Sequence, residues 1–149
     1  MGLQGHLDAS DGPHDHPALR HFLRAVAQLG LPVMVTELDV SDRTAPVEID
    51  VRDAFVAEAA RVFLTAVLEE CHCRAVISWG LSDRRSWLAQ ARPRPDGLPV
   101  RPLPRDAAFV PKPLGEVLKQ SVACVQPSHD GTSWCQRCSA PTEVLRPLR

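Results

Sequence analysis

Residues 33–40 read Val33-Met34-Val35-Thr36-Glu37-Leu38-Asp39-Val40. The run is short, β-branched and mostly apolar on both faces, with Gly30 and Pro32 before it and a polar stretch after it. That is the composition of a buried parallel strand, predicted over Pro32–Leu38. The strand ends on a carboxylate, Glu37, and a second, Asp39, follows two residues later. Residues i and i+2 of a strand point to the same side, so the two carboxylates share a face.

Helical periodicity flanks this strand. Upstream, Leu19, Phe22, Leu23, Val26 and Leu29 recur at intervals of three and four, which predicts a helix over Pro17–Leu29. Pro17 suits its first turn and Gly30 its stop. Downstream, after a polar loop over Ser41–Ile49, a helix is predicted over Val51–Glu70, with Phe55, Ala59, Val62, Phe63, Ala66 and Val67 on one face. Arg74–Trp79 is a further apolar strand, and residues 1–7 read as the end of an earlier one. Leu81–Ala108 is a long irregular loop rich in Pro and Arg, and Pro113–Val122 is a last short helix. Strands and helices alternate, which implies parallel strands joined by helical crossovers.

The 149 residues suit one ordinary domain, but a closed eight-stranded α/β barrel typically needs about 250. A formal charge of −1 gives no basic footprint for nucleic acid. No apolar run approaches the roughly 20 residues of a membrane span. The first residues lack a basic head and an apolar core, so no signal peptide is expected in this chain. Five cysteines, an odd number, do not complete a disulfide framework. After Ala123 the apolar periodicity fades, and residues 124–149 are expected to form a disordered or weakly ordered tail behind a domain of residues 1–123.

Three groups fall at strand C-terminal ends: Gln4 and His6 on the first, Glu37 and Asp39 on the second, Trp79 on the third. Parallel α/β barrels carry their active sites at that rim. In order and spacing, Gly2-Leu3-Gln4-Gly5-His6-Leu7, Thr36-Glu37-Leu38-Asp39, Trp79-Gly80-Leu81-Ser82-Asp83, Ser86-Trp87-Leu88 and Pro111-Lys112-Pro113 resemble the last three βα units of a glycoside hydrolase family 10 barrel, the endo-1,4-β-xylanases. The resemblance runs from Gly2 to about Ala123. It implies a partial (β/α)8 TIM barrel and a retaining mechanism on xylan or xylo-oligosaccharides, with no cofactor. It makes Glu37 the nucleophile and gives His6 and Asp39 supporting roles. It puts Gln4 near the sugar and makes Trp79 and Trp87 its apolar platform. Secretion, or export to a periplasm, follows from the same resemblance.

The family's acid/base glutamate sits in a Trp-Asp-x-x-Asn-Glu-like motif on an earlier strand, and this sequence has no such motif. The alternative reading is therefore a non-catalytic xylan-binding remnant. Arg85 stands where relatives often carry an aromatic residue. Two outer strands with unpaired edges, and inward side chains Val33, Val35, Ala75 and Ile77 without an opposite wall, imply marginal stability alone, or association with another copy or with a missing N-terminal half. Arg84, Arg85, Arg92, Arg94, Arg101 and Arg105 read as a solvated loop rather than a polyanion site. Cys71, His72, Cys73, Cys135 and Cys138 make a poor zinc set, because only the last two have ligand-pair spacing. No metal site is expected. His14 and His16 read as loop residues, and Trp134 has no assigned role.

Overall fold

The computed structural model describes residues 1–11 and 16–123. The expected tail, with Trp134, Cys135 and Cys138, lies outside those residues, as does His14. Three parallel strands, β1 (Gly2–Asp8), β2 (Val33–Ser41) and β3 (Cys73–Ser78), form one sheet in the order β1-β2-β3. Among the described residues four α-helices accompany it: α1 (Pro17–Gln28), α2 (Ile49–Glu70), the short α3 (Leu88–Ala91) and α4 (Pro113–Ala123). The alternation of strand and helix is the one the sequence predicts.

Local chemistry sets the boundaries. Pro17 occupies the first turn of α1, where its missing N–H costs nothing. At the other end Gly30 adopts φ 69°. Its N–H reaches Ala27 O at 2.9 Å and that of Leu31 reaches Val26 O at 3.4 Å, a Schellman stop. β2 runs three residues beyond its predicted end at Leu38, because Asp39, Val40 and Ser41 pair with His6, Leu7 and Asp8. The predicted irregular loop contains a 3-10 turn at Asp83–Arg85 as well as α3.

The core lies between the sheet and the helices. Val35 and Leu38 of β2 pack with Leu23 of α1 and with Phe63, Leu64 and Val67 of α2. Val40 packs with Val56 and Ala60 of α2 and Leu114 of α4. Two expectations are corrected here. Val33 and Val35 do not point inward toward a missing wall; both are fully buried, Val35 among the helices. Phe55 is 43% exposed and Ala59 and Val62 are only partly buried; α2 buries Val56 and Ala60 in their place, together with the expected Phe63, Ala66 and Val67. Val56, Ala60, Phe63 and Val67 recur at intervals of three and four and so form one face of the helix.

The phase of β2 explains the first correction. Leu3 pairs with Val35 and Gln4 with Glu37, so Thr36 is an extra residue, a bulge. Before the bulge Val33 and Val35 face the helices; after it Leu38 and Val40 do. Glu37 and Asp39 are thereby turned to the opposite, open face. Met34 and Ile77, 39% and 45% exposed, belong to that face. Among the described residues β1 and β3 have no outer partner strand. A cavity of about 450 Å³ opens beside β1, lined by His6, Leu7, Leu19, Phe63 and Arg92 among others.

Candidate active site

The register that turns Glu37 to the open face also sets its neighbours. Gln4 lies opposite Glu37, and His6 lies opposite Asp39. Gln4 Nε2 donates to Glu37 Oε1 at 2.8 Å. His6 Nε2 lies 3.1 Å from Glu37 Oε2, and His6 Nδ1 lies 2.9 Å from Asp39 Oδ1. The imidazole thus bridges the two carboxylates. Asp39 is 1% exposed and Glu37 is partly open to solvent. Burial pulls the His6 pKa down, but hydrogen bonds and charge from Asp39 and Glu37 outweigh it, and the net shift is upward.

Trp87 completes the group. Its indole Nε1–H donates to Asp39 Oδ2 at 2.6 Å, and its ring meets the His6 ring edge-on at 5.3 Å between centroids. Trp87 still exposes 42% of its surface and Trp79 47%. Asp39 therefore holds His6 with one oxygen and Trp87 with the other. The six residues singled out from sequence reach the same face of the sheet or its rim. Trp79 joins through its backbone, whose N–H donates to Leu38 O at 2.8 Å.

The loop that carries Trp87 is anchored by residues to which the sequence reading gives no such role. Asp83 accepts from Leu103 N at 2.9 Å and from Lys112 Nζ at 2.9 Å. Lys112 also donates to Arg101 O at 2.6 Å, and Arg101 forms a two-pronged pair with Asp53 of α2 at 2.8 and 2.6 Å. Asp83 and Lys112 are both buried. Burial pushes the Asp83 carboxyl up, and the charge and hydrogen bond of Lys112 offset only part of that. Arg94 is buried too; it donates to the carbonyls of Asp42 and Ala45 and grips Asp96. The expected solvated run is therefore corrected: Arg94 and Arg101 are structural clamps, and only part of the run faces water. Gly80 lies at the start of this loop with φ 131°, and a Cβ there would meet Leu103 Cδ1 at 2.8 Å. Only glycine fits both conditions.

Among the described residues no group of three or more His, Cys, Asp and Glu side chains is arranged to hold a metal ion. Cys71 and Cys73 are free thiols, and burial pushes the Cys71 pKa up to about 11. A thiol held so far above neutrality is a poor nucleophile or ligand.

A family model described as glycosyl hydrolase family 10 matches residues 1–121. The chain belongs to this family. Endo-1,4-beta-xylanase A of Humicola insolens is 36% identical over 90 residues, 59% of this chain and 23% of that protein. Xylanase 10B from Thermotoga petrophila RKU-1, solved in complex with xylobiose, superposes with a TM-score of 0.67 at 25% identity, covering 82% of this chain and 35% of that one. The family 10 xylanase of Thermobacillus composti superposes at 0.62 with 29% identity, covering 80% and 41%. The chain thus spans about a quarter of the length of the Humicola relative. The fold is a three-strand parallel βα piece of the family 10 (β/α)8 barrel. Among the described residues no helix is long and apolar enough to cross a membrane.

Proposed function

We propose that this chain carries the nucleophile side of a retaining endo-1,4-β-xylanase site. One observation carries the reading. Glu37 stands on the open face with one oxygen bonded to Gln4 and the other to a His6 whose ring is pinned by Asp39. A carboxylate nucleophile must stay ionised and aimed while it attacks the anomeric carbon. Gln4 on one oxygen and His6 on the other hold the Glu37 carboxylate in one orientation. Asp39 orients the imidazole from behind, as a carboxylate fixes a histidine elsewhere.

In this reading Glu37 attacks the anomeric carbon, the glycosidic C–O bond breaks, and a glycosyl ester forms on Glu37. Water then hydrolyses the ester with retention. The second carboxyl protonates the leaving oxygen and later takes a proton from water. The 149 residues contain no asparagine and hence no Asn-Glu motif, so in this reading none of them is assigned the role of that second carboxyl. Trp79 and Trp87 offer indole faces to the sugar, and Gln4 is a donor beside it. The substrate is xylan or xylo-oligosaccharides, met outside the cytoplasm where a polymer is accessible.

Dinitrophenyl β-xylobioside tests the reading, because its leaving group departs without a proton. The chain should release dinitrophenolate above the buffer rate, and Glu37→Gln should abolish the excess. Equal release by both chains would reject the nucleophile assignment. Binding of xylo-oligosaccharide without any release would favour the non-catalytic binding remnant.

A further inference from the structure

We propose that the rim beside Trp87 selects a xylo-oligosaccharide bearing a carboxylate side group, with Arg84 and Arg85 meeting the anion. The proposal deepens the xylan reading and rests on it. Most guanidinium groups in the described residues face a carboxylate: Arg61 with Glu58, Arg92 with Asp8, Arg94 with Asp96, Arg101 with Asp53. Arg84 and Arg85 differ. Both are exposed, and among the described residues neither side chain has a hydrogen bond or ion pair, a state they share with Arg74 of β3.

Their backbone, in contrast, is fixed. They lie in the 3-10 turn Asp83–Arg85, whose first residue is buried against Lys112 and Leu103. Ser82 caps that turn by accepting from Arg84 N at 3.3 Å. Ser86 is buried, and Trp87 after it is tied to Asp39. Two free cations are thus held on a rigid segment directly before the indole proposed to carry the sugar.

Further cations in the loops after β2 and β3 have only neutral partners: Arg43 donates to Pro93 O at 2.8 Å and Arg105 to Phe109 O at 2.7 Å. The loop over residues 81–112 carries Arg84, Arg85, Arg92, Arg94, Arg101, Arg105 and Lys112 against Asp83, Asp96 and Asp106, a positive surplus in a chain whose formal charge is −1. A neutral xylose backbone gains nothing from that surplus. A carboxylate gains a planar fork with matching geometry, in a field that reaches about 8 Å at physiological salt. The chemistry shared by possible ligands is a sugar carboxylate. It comes either from a uronic-acid side group on a xylose backbone or from a polyuronate, and the proposal is the first.

The test is titration of the 149-residue chain, followed by tryptophan fluorescence, with xylotetraose, with the same backbone bearing one glucuronic acid, and with trigalacturonate. The acidic xylo-oligosaccharide should bind about tenfold tighter than the neutral one, the equivalent of one charge-assisted hydrogen bond. The preference should shrink with added salt and vanish in Arg84→Gln/Arg85→Gln, while neutral binding stays unchanged. Equal affinities for the two xylo-oligosaccharides, or a preference that survives the double substitution, would overturn the proposal and leave the xylan reading intact. Trigalacturonate binding as tightly as the acidic xylo-oligosaccharide would overturn it in favour of an unselective anion patch. No response to any of the three would overturn both readings.

Discussion

Trp87 donates its indole N–H to Asp39 across 48 positions of sequence, at 2.6 Å. This bond fastens the long loop to the sheet at the point where Asp39 holds His6. Replacing Trp87 by Phe leaves one oxygen of a buried carboxylate without its donor. The expected cost is about 1.5 kcal/mol, the low end for a hydrogen bond to a charged group. Urea unfolding should show a lower midpoint with an unchanged slope. An unmoved midpoint would mean that the bond adds nothing to the fold.

The upward shift of His6 makes stability pH-dependent in a definite direction. The native chain holds the His6 proton more tightly than the unfolded one, whose value is near 6.5. The contribution of His6 is therefore complete below pH 6.5 and is lost as pH rises through the higher native value. The stability difference between the chain and its His6→Phe variant should be largest below 6.5 and shrink above it. An NMR titration of the His6 ring should give a midpoint above 6.5; a midpoint below it would contradict the two-carboxylate clamp.

Asp83 and Lys112 form a buried pair at 2.9 Å, the anchor of the loop. Asp83→Asn removes one charge and leaves the other in a low-dielectric setting, at an expected cost of about 3 kcal/mol. Removing both charges with Asp83→Leu/Lys112→Met should cost less than the single change. Denaturant unfolding of the two variants decides this. A double variant weaker than the single one would show that Lys112 is held mainly by Arg101 O and Asp53.

Much of this arrangement is legible in the sequence because it rests on short-range patterns. Leu23 and Val26 recur at helical spacing, Pro17 and Gly30 mark the ends of α1, and the strand runs are β-branched. Of the six candidate residues, Gln4, His6, Glu37, Asp39 and Trp79 are likewise visible from their places on or just after the strands, whereas Trp87 lies in the loop and is marked only by the resemblance. The bulge at Thr36 escapes a reading of strict alternation, although a trace of it is present. The apolar positions Val33 and Val35 are followed by Leu38 and Val40, with two polar residues where one would keep the phase. The face of α2 is ambiguous from sequence because apolar residues occur on several sides, and only the packed sheet selects Val56 over Phe55. The ion pairs of Arg101 with Asp53 and of Lys112 with Asp83 join residues 48 and 29 apart. No local pattern announces such pairs, so the loop reads as solvated until the fold brings them together.

The central claim is that Glu37 is a poised nucleophile. It is tested most directly by incubating the chain with dinitrophenyl 2-deoxy-2-fluoro-β-xylobioside, followed by intact mass and peptide mapping. The fluorine slows both steps, and the activated leaving group removes the need for an acid in the first, so a glycosyl ester should accumulate. The expected result is one added fluoro-xylobiosyl group, on the peptide containing Glu37 and absent in Glu37→Gln. A folded chain that stays unmodified, or one labelled at another carboxylate, would contradict the account.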